Sequence, residues 1–160
     1  FQISKPYFSF DAANAFVRQG EVRHRGVETS LSGQFGKRFH LVAGALFMQP
    51  RLSSGGRPAG TPSTLVRADA NYRTDIFGGL TPTASLTYTG SRPVNPDLVL
   101  PAHATLDLGL RHTFKLGGLT AGVRLVVQNV FDEATWRVVA ANTLYQEDRR
   151  RFTLSLMADF

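Results

Sequence analysis

The chain has no cysteine among its 160 residues, which excludes a disulfide framework and any thiolate metal site. Long apolar runs are also missing. The most hydrophobic stretch, Leu41 to Met48, is about half of the roughly 18 residues that a membrane helix needs. No Gly-x-Ser-x-Gly elbow, phosphate-binding loop or Gly-x-Gly-x-x-Gly entering a helix occurs, and the carboxylates are scattered, so no enzyme is expected. His24, His40, His103 and His112 lack the His-x-x-x-His and His-Glu-x-x-His spacings, and no metal site built by the protein, nor any cofactor bound by it, is expected. Acidic residues are in deficit, 12 against 18 Lys and Arg, and the net charge of +6 would permit a nucleic-acid binder. The basic residues, however, lie singly in alternating segments with no recognition-helix pattern, so nucleic acid is not expected as a partner.

Two-residue periodicity is what the chain does have. In residues 150–160, Phe152, Leu154, Leu156, Ala158 and Phe160 share one parity, while Arg151, Thr153, Ser155, Met157 and Asp159 share the other. Side chains alternate across a strand, so one face suits lipid and the other a wet lumen. A spanning strand needs only about 9 to 11 residues, half of them apolar, which is compatible with the mean hydropathy of -0.11. Similar segments cover 1–10, 21–35, 39–52, 64–74, 80–90, 104–116, 119–131 and 150–160, about eight strands. Their connections alternate: 36–38, 75–79 and 117–118 are tight, whereas 11–20, 53–63, 91–103 and 132–149 are long. Bacterial outer-membrane barrels follow this rule, with tight periplasmic turns and extended outer loops. The expected fold is all-β, an antiparallel transmembrane β-barrel segment.

The cost of inversion sets each strand's phase. In 104–116, Leu106, Leu108, Leu110, Phe114 and Leu116 oppose Thr105, Asp107, Gly109, Arg111, Thr113 and Lys115. Turning this strand over would aim Arg111 and Lys115 at hydrocarbon, at about 2–4 kcal/mol for a basic residue near the midplane. Val66, Ala68, Ala70 and Tyr72 likewise oppose Arg67, Asp69, Asn71 and Arg73, and Ala121, Val123, Leu125 and Val127 oppose Gly122, Arg124 and Gln128. Against the pattern, His112 and Asn129 sit on apolar parities, Val126 on a polar one, and 39–48 is apolar on both. Arg23 and Arg25 share parity with Val27 and Leu31, which requires either a strand projecting beyond the lipid or a bulge. The segment Asp11-Ala12-Ala13-Asn14-Ala15 has the composition of a helical turn.

Four elements in order, Arg23-His24-Arg25-Gly26-Val27-Glu28, the strand around 41–46, Thr105-Leu106-Asp107-Leu108-Gly109 after a proline-bounded loop, and Val127-Gln128-Asn129-Val130-Phe131-Asp132, precede a terminal aromatic. This series resembles the C-terminal part of TonB-dependent outer-membrane receptors of the ferric-siderophore type. In that family an Arg-Gly-Val/Ile-Glu element opens one strand, a Leu-Asp-Leu-Gly-like element begins a late one, and Asn-Leu-Phe-Asp ends the penultimate one. The resemblance implies a 22-stranded barrel filled by an N-terminal plug, of which residues 1–160 would supply the last eight or so strands, without the plug. Because the chain opens at Phe1 inside a strand-like segment, it is expected to be a piece of a longer protein.

The same resemblance implies uptake of a ferric siderophore across the Gram-negative outer membrane, with iron carried in its chelate. The implied partners are TonB through the missing plug, the protein's own plug and remaining strands, the barrel-assembly machinery through Phe160, and outer-membrane lipid and lipopolysaccharide. Trp136, Arg137, Tyr145 and Arg149, in or beside the longest loop, are candidates to contact a planar anionic chelate. The favoured reading, however, is that Trp136 and Tyr145 pack the loop or mark the interface belt and that the two arginines meet lipopolysaccharide phosphate. Asp107, Arg111, Arg124 and Glu28 fall on lumen-facing parities, available to each other, to plug groups or to ligand. Asn129 and Asp132 read first as strand-end residues that bond local backbone. Two rival readings are a complete eight-stranded structural or adhesive barrel, which requires 1–10 to pair with 150–160, and an outer-membrane hydrolase using His103 with Asp97 at the rim.

Overall fold

The computed structural model describes residues 1–140 and 142–159, so Phe160, the expected assembly signal, lies outside the described residues. Eight strands form one antiparallel sheet: β1 (Gln2–Phe10), β2 (Phe16–Phe35), β3 (Phe39–Leu52), β4 (Thr64–Tyr72), β5 (Thr81–Thr89), β8 (His103–Leu116), β9 (Leu119–Gln128) and β12 (Arg151–Asp159). Two short hairpins lie in the outer loops, β6 (Arg92–Pro93) with β7 (Val99–Leu100) and β10 (Trp136–Ala140) with β11 (Thr143–Gln146). Within the main sheet the order is strictly sequential, β1 and β12 being its two edges. That open arrangement overturns the reading as a self-contained eight-stranded barrel, because 1–10 pairs with β2 rather than with the last strand.

From β2 to β12 no register shift interrupts the ladders. One row of partners therefore runs Gly33, Leu41, Ala70, Ala84, Leu108, Val127, Phe152, and the next polar row runs Ser32, Val42, Asp69, Ser85, Asp107. All strand phases expected from cost are observed. Leu108 and Leu110 stand on the outer face, and Leu154 and Leu156, on the same face across β9, are 65% and 76% exposed, with no second layer of described residues over them. Only a hydrocarbon solvent makes such a face stable.

The irregular positions have local causes. Val126 faces inward opposite Gly109, and a Cβ on Gly109 would stand 3.6 Å from a Val126 methyl and 2.5 Å from the Thr83 hydroxyl, so the glycine leaves the space that its neighbours fill. His112 stays on the outer face near the tight-turn end, its ring stacked on Phe114 at 5.6 Å. Gly117 and Gly118, at φ 58° and 87°, make the two-residue reversal between β8 and β9, which demands positive φ at both positions.

Several boundaries differ from expectation. Residues 16–20, expected in a loop, extend β2, and the reversal before it occupies only 11–15, where the Asp11 carboxylate accepts the Ala13 and Ala15 amides at 2.9 Å. Competition from this side chain for local backbone donors gives an Asx-type turn in place of a helical one. Arg23 and Arg25 share the face of Val27 without any shift in the β2–β3 ladder, so projection explains them; the register shift of the main sheet among the described residues lies further out, where Tyr7 pairs with Gly20 and Phe8 with Arg18. Gly20 takes φ 114° there, and a Cβ on it would meet the Ser53 hydroxyl at 2.4 Å. β9 ends at Gln128, three residues before the expected end, because Asn129 turns to φ 50°.

Candidate functional site

At one end of the sheet the connections are short, and the Arg38 to Asp75 ion pair, 2.5 Å, ties two of them together. At the other end, loops 53–63, 90–102 and 129–150 interlock. The Gly60 amide donates to the Pro93 carbonyl at 2.7 Å, and the Arg57 guanidinium to the Ser91 carbonyl at 3.0 Å. Asn95 donates to the Asn142 side chain at 2.8 Å. Arg92 is buried, with its guanidinium on the Trp136 carbonyl and 3.4 Å from His103 Nδ1. Burial pushes the Arg92 pKa down, and the Glu147 carboxylate partly offsets this. Val94 and Leu100 are shut away from water between these loops.

The root of the longest loop is a polar knot built from the Asn129-Val130-Phe131-Asp132 element. Asn129 is 6% exposed, and its positive φ is one that asparagine tolerates. Its amide donates to Asp107 at 2.8 Å, its side-chain nitrogen to the Glu133 and Asp148 carbonyls at 2.8 and 3.3 Å, and its side-chain oxygen accepts the Glu133 amide at 3.0 Å. Asp132 takes the Arg149 fork at 3.0 and 2.9 Å and the Arg150 amide at 3.0 Å. Those donors hold the Asp132 carboxyl far below the usual carboxylate range. A buried polar group left unmatched costs about 1–3 kcal/mol, whereas exposed ion pairs contribute little, so Asn129 rather than the Arg149 pair is the main fastening.

Above this root β10 and β11 form a ladder, with Arg137 opposite Tyr145. Glu147 accepts from the Thr135 hydroxyl at 2.8 Å and from Arg137 at 2.6 Å. Burial alone would raise the Glu147 pKa; the Thr135 hydroxyl and the Arg137 guanidinium outweigh it and hold the group below its ordinary value. Arg151 binds Gln128 at 2.8 Å and Asp148 at 2.9 Å. Together Asp107, Gln128, Arg137, Glu147, Arg149 and Arg151 line one polar concavity at the mouth of the lumen face.

The residues singled out by sequence are thus only partly gathered. Asp107, Arg137 and Arg149 share the concavity, while Trp136 lies beyond it against Arg92, Leu100 and His103. Tyr145 is exposed beside Arg137 but does not line the hollow. Arg111 and Arg124 meet directly across β8 and β9, deeper on the lumen face, with no ion pair to either among the described residues. Glu28 keeps the lumen phase on β2, far along the sheet. His103 has Arg92 as its close neighbour, and Asp97 is not among the groups acting on it. Gln128, Glu147, Asp148 and Arg151 were missed: their convergence needs the β10–β11 hairpin, whose only trace in the sequence is brief alternation either side of Asn142.

The family described as TonB dependent receptor-like, beta-barrel matches residues 2–130. The ferrichrome receptor FcuA of Yersinia enterocolitica is 32% identical over 176 residues, an alignment that takes in all of this chain and 23% of that protein. The ferric preacinetobactin receptor BauA of Acinetobacter baumannii superposes with a TM-score of 0.84 at 25% identity, covering 99% of this chain and 26% of that one. The ferripyoverdine receptor of the outer membrane of Pseudomonas aeruginosa superposes at 0.75 with 18% identity, covering 97% and 23%. The chain spans about a quarter of the length of these relatives.

Proposed function

Because the chain belongs to the TonB-dependent receptor β-barrel family of the Gram-negative outer membrane, we propose that it forms wall and outer loops of a receptor importing a ferric siderophore. The supporting observation is the asymmetry of the sheet's two ends: tight turns at one, and at the other an interlocked set of loops that leaves a polar, arginine-lined hollow over the lumen face. Iron arrives and leaves inside its chelator, so the residues needed are those that grip an anionic, partly planar ligand, not metal donors. Arg137 and Tyr145, side by side on the β10–β11 ladder, are the proposed contacts, with Trp136 behind them. Arg149 serves by holding the loop through Asp132.

Energy for transport enters through TonB acting on a plug that precedes these strands in the complete receptor. Asp107, Arg111, Arg124 and Glu28 present the charges that such a plug or a passing ligand meets on the lumen face. The relatives are receptors rather than enzymes. Deleting the gene for the complete receptor and following uptake of iron-labelled siderophores tests the reading. Loss of uptake of at least one ferric siderophore is expected. Undiminished iron uptake with loss of another nutrient, such as a cobalamin or a glycan, would overturn it.

A further inference from the structure

Three outer loops meet on one side chain. Loop 53–63 fixes the backbone on either side of Arg92, because the Arg57 guanidinium donates to the Ser91 carbonyl at 3.0 Å and the Gly60 amide to the Pro93 carbonyl at 2.7 Å. From this anchored backbone the Arg92 side chain crosses to the longest loop, where its guanidinium donates to the Trp136 carbonyl at the first residue of β10. The hairpin also rests on loop 53–63, since a Cβ on Gly60 would stand only 3.2 Å from that of Val138. Arg137 follows Trp136 directly, with its guanidinium on Glu147 and Tyr145 across the ladder. Arg92 thus sets where the backbone bearing both begins.

A guanidinium closed off from water, 6% exposed, is costly, and its contacts here are neutral: the Trp136 carbonyl and, at 3.4 Å, His103 Nδ1. Glu147 acts on Arg92 through space while its own bonds go to Thr135 and Arg137. A guanidinium only donates, so its contact with Nδ1 is a hydrogen bond only while that nitrogen carries no proton. Protonation would set a second cation against Arg92 where water cannot screen the two. The Glu147 and Glu133 carboxylates and the Pro101 carbonyl also face His103, with Thr89 across from it on β5, but neither carboxylate forms an ion pair with it among the described residues. We propose that Arg92 and His103 are positioning residues forming a proton-sensitive clasp, which holds the β10–β11 hairpin beside the polar hollow while His103 is uncharged and lets it go when His103 is protonated. That the hairpin carries ligand contacts rests on the function proposed above; the clasp itself does not.

The test follows hydrogen exchange in the complete receptor at about pH 7.5 and about pH 5, either side of the ordinary histidine value of about 6.5, with each amide referred to its intrinsic rate. In the wild type, protection of β10 and β11 should fall about tenfold in acid, the scale of one charged hydrogen bond, while β8 and β9 keep theirs. R92M retains the buried stem without its donors and should show the low value at both pH values. R92K should restore part of the neutral protection and, with it, the acid loss. H103Q, an acceptor that takes up no proton, should keep the hairpin protected in acid. Unchanged protection in R92M, or an acid loss in H103Q equal to that of the wild type, would overturn the clasp. So would equal loosening of β8 and β9 in R92M, which would make Arg92 a general support of the fold. Should R92M fail to assemble as a heat-modifiable barrel, the acid response of H103Q decides alone. Binding of iron(III) tris-catecholate to the same proteins separates the two readings: a hairpin loosened by R92M with binding as in the wild type leaves the clasp standing and removes Arg137 and Tyr145 as ligand contacts.

Discussion

Along the wall, Leu108, Leu154 and Leu156 stand bare on the outer face, whereas in the loops above it Val94, Leu100, Arg92 and Asn129 are closed off from water. The wall is one layer thick. Its backbone polar groups are matched by neighbouring strands, and its side chains find their apolar surroundings in lipid. The loops have no such solvent to lean on, so they make a small protein interior of their own. The difference teaches that two kinds of information are written into one chain, a long-range parity rule for the wall and a set of individual polar contacts for the loops.

The sharpest way to break the wall is charge on its outer face. Leu108→Arg, in the middle of the apolar row, should cost about 2–4 kcal/mol of barrel stability. Urea unfolding of the complete receptor in vesicles measures it, and the loops should suffer only as a consequence. Gly109→Val tests the inner face: its added carbons meet the Thr83 hydroxyl and the Leu125 carbonyl, with an expected loss of about 1–3 kcal/mol. Combining it with Thr83→Ala should recover part of that loss, and strict additivity in the double-mutant cycle would refute the proposed contact.

Asn129→Ala should act the other way round. It removes three side-chain bonds at the loop root, and about 1–3 kcal/mol of local stability should vanish. Hydrogen exchange in 129–150 should accelerate while the unfolding midpoint of the barrel stays put. The smallest effect concerns pH. Because the folded Asp132 carboxyl titrates below its unfolded value of about 3.9, its contribution is complete above that value and fades as pH falls through the folded one. Protease nicking of the loop should therefore be flat from neutral pH to about pH 4, and Asp132→Asn should raise it at neutral pH.

The wall was legible in the sequence because hydrocarbon enforces parity residue by residue: Leu106 to Leu116 and Phe152 to Ala158 could face only one way. Even its departures, such as Val126, turned on one neighbouring glycine that no single-strand pattern reveals. The loops were opaque for the opposite reason. Glu147 reaches Thr135 and Arg137 only after 136–146 folds into a hairpin, and Arg92 reaches the Trp136 carbonyl across 44 positions of chain. The Asn129 to Asp132 element was readable as local backbone bonding, while its partners Asp107, Asp148 and Arg149 were not.

β2 runs for 20 residues, about 65 Å of chain, where a tilted spanning strand needs only about 9 to 11 residues. Roughly half of it must therefore stand clear of the bilayer, with Phe16 at its summit in ring contact with Phe8 and Phe10 of β1. The rim on this side is a parapet rather than a level lip. A molecule drifting in along the cell surface from that quarter strikes aromatic rings well before it can look down into the opening.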